Sequence, residues 1–72
     1  MTPLRCISIY VDEAEFGHFG WFLLERGVDG GAWAGIGSSP EAFDSWVDAF
    51  DAGCVELFRL TDDERVGPRS GV

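Results

Sequence analysis

A chain of 72 residues can build one small core and no more, and three Trp and six Phe supply the large side chains for it. Thirteen acidic residues against five basic ones give a formal net charge of −8, and every basic residue is Arg. That balance argues against direct binding to nucleic acid, which needs a basic footprint, and against anionic membrane surfaces.

Cys6 and Cys54 are too few for a disulfide scaffold. Together with His18 they do not supply the four ligands of a zinc site. Both cysteines read as small buried hydrophobes in a reducing compartment, so a cytoplasmic location is expected. Residues 1–11 lack a long apolar stretch behind a basic start, so no signal peptide is expected. The longest apolar run, Trp21 to Leu24, is far too short to span a bilayer.

In chain order, Leu4 to Val11 reads as a first strand. Ile7, Ile9 and Val11 fall on one face, and Leu4, Cys6, Ser8 and Tyr10 on the other. Asp12 to Gly20 reads as a loop, because three acids and the Phe-Gly-His-Phe-Gly run favour no regular element. Trp21 to Arg26 is the second strand, apolar on both faces and therefore central. Gly27 to Gly31 is a tight turn, since Asp-Gly and Gly-Gly supply positive φ angles. Ala32 to Gly37 is the third strand, with Trp33 expected to pair across the hairpin with an apolar side chain.

A helix is predicted from Pro40 to Leu60, with Ser39 as its N-cap. Phe43, Trp46, Val47, Phe50, Cys54, Leu57 and Phe58 advance by three or four and should face the sheet. Gly53 is unfavourable there by ~1 kcal/mol relative to Ala. The rival reading stops the helix at Gly53 and makes residues 54–60 a further strand. Thr61 to Val72 is too polar to bury much and is expected to be a flexible tail, so the domain proper covers residues 1–60.

No catalytic constellation is visible. His18 is the only histidine, and none of the serines sits in a nucleophile elbow. Gly35 and Gly37 lack the third glycine and the βαβ setting of a dinucleotide site. Asp12-Glu13-Ala14-Glu15 and Asp62-Asp63-Glu64 lack the spaced ligands of a calcium loop. Neither an enzyme nor a cofactor or metal is expected.

The acids on the predicted helix carry the most information. Glu41, Asp44, Asp48 and Asp51 form a second stripe with no basic residue at helical spacing to neutralise them. Over ten residues, roughly 15 Å at the helical rise, they approach the charge spacing of one DNA strand, ~3.4 Å. Such a stripe is expected to occupy lysines and arginines that otherwise hold phosphates. Asp12, Glu13 and Glu15 would extend its field. The competing account is an acidic face that serves solubility alone.

Trp21, Leu24 and Glu25, followed by Ser39, Phe43, Trp46, Ala49, Ala52 and Gly53, resemble a pattern in small uncharacterised bacterial proteins. There an aromatic strand ending in Leu-Glu precedes Ser-x-x-x-Phe-x-x-aromatic-x-x-Ala-x-x-Ala-Gly. The resemblance covers about Gly20 to Leu60. It implies a three-stranded sheet with one helix and a bacterial or phage source, and it carries no function. In size and acidity the chain is also similar to phage-encoded inhibitors such as anti-CRISPR proteins, a likeness of type that assigns no residues.

The sequence thus predicts an α+β domain, a three-stranded antiparallel sheet packed on one long C-terminal helix. The expected function is that of a non-enzymatic acidic inhibitor. Its partner is a basic, nucleic-acid-binding protein met through Glu41, Asp44, Asp48, Asp51, Asp12, Glu13 and Glu15. The second expectation is an oligomerising module, a homodimer built on exposed aromatics such as Trp33, Phe16 or Phe19.

Overall fold

Ile7, Ile9 and Val11 alternate with Ser8 and Tyr10, and this period of two makes the chain enter as a strand with one half-buried and one exposed face. In the computed structural model, which describes residues 3–27 and 29–69, that strand is β1 (Ile7–Glu15). It is followed by β2 (His18–Arg26), β3 (Trp33–Ser38) and a helix α1 (Trp46–Arg59). The sheet is antiparallel with order β1-β2-β3, so the fold is the expected α+β arrangement with the helix last.

β1 runs four residues past its expected end. Asp12 to Glu15 are strand, and so are His18 to Gly20, where a loop was expected. Glu15 stands opposite His18, leaving Phe16 and Gly17 as a two-residue turn. Gly17 supplies the left-handed backbone, φ +78°, that this turn requires. Its amide donates to the Glu13 carboxylate at 2.7 Å. The register slips between Glu13 and Glu15, an irregularity that leaves Ala14 outside the pairing.

β3 pairs Arg26 with Trp33 and Leu24 with Gly35, so Trp33 faces an arginine on the neighbouring strand and not the apolar partner expected. The turn before it holds Gly30 at φ +76°. Val28 of that turn lies outside the described residues.

The helix starts six residues later than expected, because the backbone of residues 39–43 is already engaged with β2. The Ser39 amide donates to the Trp21 carbonyl at 2.9 Å, and Phe19 and Phe43 exchange both backbone hydrogen bonds at 2.9 and 2.8 Å. Amides and carbonyls used this way cannot also turn into a helix. Ser39 therefore caps nothing; its hydroxyl accepts from the Trp21 amide instead. The N-cap is Ser45, extended at φ −138°, ψ 154°, whose hydroxyl accepts from the Asp48 amide at 3.2 Å. The helix then runs unbroken through Gly53 to Arg59, so residues 54–59 are not a strand.

The helix face that meets the sheet differs from the expected one. Ala49 and Gly53, one turn apart, are its buried residues. Gly53 lies against Ile9 and Trp21, and Trp21 and Leu23 are the two buried hydrophobics of β2. Gly53 is essential to this approach. A Cβ there would overlap the Ile9 side chain and lie 2.9 Å from Trp21 Cβ. The seven expected sheet-facing residues divide. Phe50, Cys54 and Leu57 are half-buried. Trp46 is exposed beyond the buried turn, stacked on Phe50 with ring centroids 5.1 Å apart. Val47 and Phe58 remain 53% and 52% exposed, and Phe43 belongs to the segment paired with Phe19. Small residues set the helix rotation because they permit the shortest distance between the layers. Of the two cysteines expected to be buried, Cys54 is half-buried and Cys6 is exposed.

The segment expected to be a free tail turns back. The Arg5 amide donates to the Pro68 carbonyl at 2.8 Å, and Leu4 bridges to Arg69. Gly67, at φ +77°, lies close under Leu4. Residues 70–72 of the expected tail lie outside the described residues.

Candidate functional site

Three positions decide what the acidic residues can do: the helix, the segment before it, and the far end of the β1-β2 hairpin. Asp48 and Asp51 project from the exposed side of α1. Beside them on that side are Val47, Val55 and Phe58. The helix thus shows solvent a mixed surface in which carboxylates alternate with apolar side chains.

Glu41 and Asp44 are exposed but precede the helix, in the segment that pairs with β2. The four-carboxylate stripe at helical spacing is therefore not formed, and only Asp48 and Asp51 share the helix. The regular match to phosphate spacing fails with it. What remains is a run of carboxylates along residues 41–51 that changes from irregular to helical backbone at Ser45.

Asp12, Glu13 and Glu15 are exposed on β1 itself and not on a loop. Glu13 stands opposite Phe19, on the helix side of the sheet by alternation. Asp12 stands opposite Gly20, on the other side. Glu15, His18 and Glu41 come together around a shallow open concavity of about 370 Å³, whose floor includes Phe19, Gly20 and Ser39. The structure thus brings Glu15 to Glu41, as a wider acidic field requires, and sends Asp12 to the opposite surface from the helix acids.

The arginines do not neutralise this field. Arg5 holds Glu25 through two hydrogen bonds of 2.9 and 2.8 Å. The guanidinium keeps the Glu25 carboxyl below its ordinary value and is itself raised by the same bonds. Arg65 does the same to Asp63, chiefly by side-chain hydrogen bonding. Arg59 meets Glu56 on the helix at 3.4 Å. Among the described residues, Glu41, Asp44, Asp48, Asp51, Asp12, Glu13 and Glu15 have no arginine partner.

His18 is exposed on the hairpin next to Glu15. Cys6 lies opposite Arg26, at the other end of the sheet. Nine residues of strand separate Cys6 from the partner of His18, roughly 30 Å at the strand rise. A thiol–imidazole pair from these two is therefore ruled out by geometry. Among the described residues, no group of three His, Cys, Asp or Glu side chains converges on a point that could hold a metal ion. No helix among them is long and apolar enough to cross a membrane.

Sequence reasoning missed the exposed apolar residues between the helix acids, because the spacing of Val47 and Phe58 also fits a buried stripe. The available signal was Ala49-x-x-x-Gly53, a pair of small residues one turn apart that competes for the sheet-facing position. Compared with known proteins, the chain matches no family model, no curated sequence and no solved structure.

Proposed function

We propose that this protein is a non-enzymatic, cytoplasmic binding protein. Its acidic face, Glu41, Asp44, Asp48 and Asp51 with Glu15 at its margin, docks on a basic protein surface and competes there with nucleic acid. One observation carries the reading: these carboxylates are exposed and lack an arginine partner among the described residues, while Arg5, Arg59 and Arg65 are paired with other acids. Unpaired like charges in one region weaken the fold slightly, and a cationic partner would offset that cost on binding. Val47, Val55 and Phe58 add an apolar contact to the same helix side, which suits a basic protein surface better than a simple cation.

The loss of the regular four-carboxylate rod narrows the claim. The face offers charge and apolar contact to a protein, without reproducing the geometry of a phosphate backbone. Inhibition follows if the basic surface it covers is one that binds nucleic acid.

The test is capture of partners from bacterial lysate on immobilised protein, wild type against a Glu41→Gln, Asp44→Asn, Asp48→Asn, Asp51→Asn variant. The variant should remain folded, since all four side chains are exposed. Basic partners retained by the wild type should be lost from the variant, and added duplex DNA should compete with them. Equal recovery on both surfaces would contradict the proposal.

A further inference from the structure

The helix covers one face of the sheet, and no helix of the described residues covers the other. On that other face Tyr10 and Phe22 stack with centroids 5.0 Å apart. Leu24 follows Phe22 at the next position on that face, and Trp33 stands opposite Arg26 on the neighbouring strand. Tyr10 and Trp33 are each 46% exposed. A three-stranded sheet with four such residues on the side away from its helix has half of a sandwich core in place.

The charges on this face are arranged in a particular way. Its centre carries none. Arg26 lies at one end, beside Cys6. Asp12 lies at the other end, opposite Gly20. Asp12 is six residues along β1 from Cys6, or ~20 Å. A second copy turned end for end about a two-fold axis would bring each Arg26 to the other copy's Asp12, with the aromatic centres in contact. The face is therefore complementary to itself.

We propose that the occupant of the sheet face away from the helix is a second copy of this chain. Two sheets stack face to face at ~10 Å, with Tyr10, Phe22, Leu24 and Trp33 of each copy forming the shared core and the helices outside. The obvious objection is the charge of −8 on each copy. Most of that charge lies elsewhere. The helix acids of the two copies would be separated by a sheet–sheet spacing and two helix–sheet spacings, in all ~30 Å, against a screening length of ~8 Å at physiological salt. The contact face itself is ~14 Å wide and ~20 Å long, about 280 Å² in outline on each copy, so the interface is a small one, specified by its apolar centre and its end charges and populated according to concentration. This inference does not rest on the proposed function, and Asp48 and Asp51 on the helix stay free in the dimer.

Sedimentation equilibrium of the full chain tests it. The wild type should sediment at twice its 7.9 kDa mass, and the dimer should persist at high salt. Tyr10→Asp combined with Trp33→Asp should yield a folded monomer by circular dichroism. Arg26→Glu alone and Asp12→Arg alone should each raise the dimer dissociation constant by about tenfold, and the two together should restore it. Val47→Asp with Phe58→Asp, on the helix, should leave the dimer intact. A wild type that is monomeric across the concentration range would overturn the proposal. So would a dimer broken by the helix variant and untouched at Tyr10 and Trp33, which would place the contact on α1.

Discussion

Gly53→Ala is expected to lower the melting temperature, although Ala is the better helix former by ~1 kcal/mol. Intrinsic propensity favours the substitution, and packing opposes it. The added Cβ would overlap Ile9 and lie 2.9 and 3.0 Å from Trp21 Cβ and Cγ. These contacts involve the root of a buried indole and a half-buried strand residue, so the helix must move away from the sheet. Overpacking of this kind costs about 1–3 kcal/mol, roughly 5–15 °C for a domain of this size. The sign of the effect separates the two arguments. Ile9→Val removes one of the obstructing atoms and should recover part of the loss in the double variant, a coupling expected only for residues in contact. Thermal melts of the four proteins, followed by circular dichroism, give the result.

The largest loss is expected from Trp21→Ala. Trp21 is buried at the centre of the middle strand. It sits beneath Gly53, and its amide and carbonyl both bond to Ser39. Truncation of a buried Trp costs about 3–5 kcal/mol. A chain of this length has only ~4–11 kcal/mol of stability in all, so the variant loses a large share of it and should melt more than ~10 °C below the wild type. Trp46→Ala is the control. That residue is more than half exposed and its stack on Phe50 is its main contact, so ~1 kcal/mol is expected. Denaturant titration of both variants ranks the tryptophans. A smaller loss at position 21 than at 46 would mean that the core lies elsewhere.

These two residues also show where sequence reading succeeds and where it stops. The order of the four elements follows from pattern. Ile7, Ile9 and Val11 alternate, and the helical period persists through Gly53, so strand and helix are distinguishable without tertiary information. The rotation of the helix is a different matter. Phe43, Trp46, Val47 and Phe58 outweigh Ala49 and Gly53 on any scale that scores transfer from water. The layers nevertheless close over the smaller pair, because a short interlayer distance buries the strand residues beneath. Boundaries fail for a related reason. Ser39-Pro40 and Ser45 with Asp48 three residues on are both good helix starts by local chemistry, and backbone pairing of Phe43 with Phe19 selects the second. That choice moves Glu41 and Asp44 off the helix and dissolves the regular stripe. Asp12 to Glu15 looked like loop because acids are poor strand formers. Asp12, Glu13 and Glu15 pair all the same, on an edge strand where their side chains reach water, through a turn that Gly17 makes possible.

Which flank of α1 meets water decides whether Asp48 and Asp51 can reach a partner with Val47, Val55 and Phe58 beside them. Methyl NMR with a soluble paramagnetic agent reads this directly. The Val47 and Val55 methyl signals should broaden strongly and the Ala49 methyl signal should stay sharp. A broadened Ala49 with Val47 protected would mean that the helix rests on its aliphatic stripe, and the acid-lined surface described above would not exist.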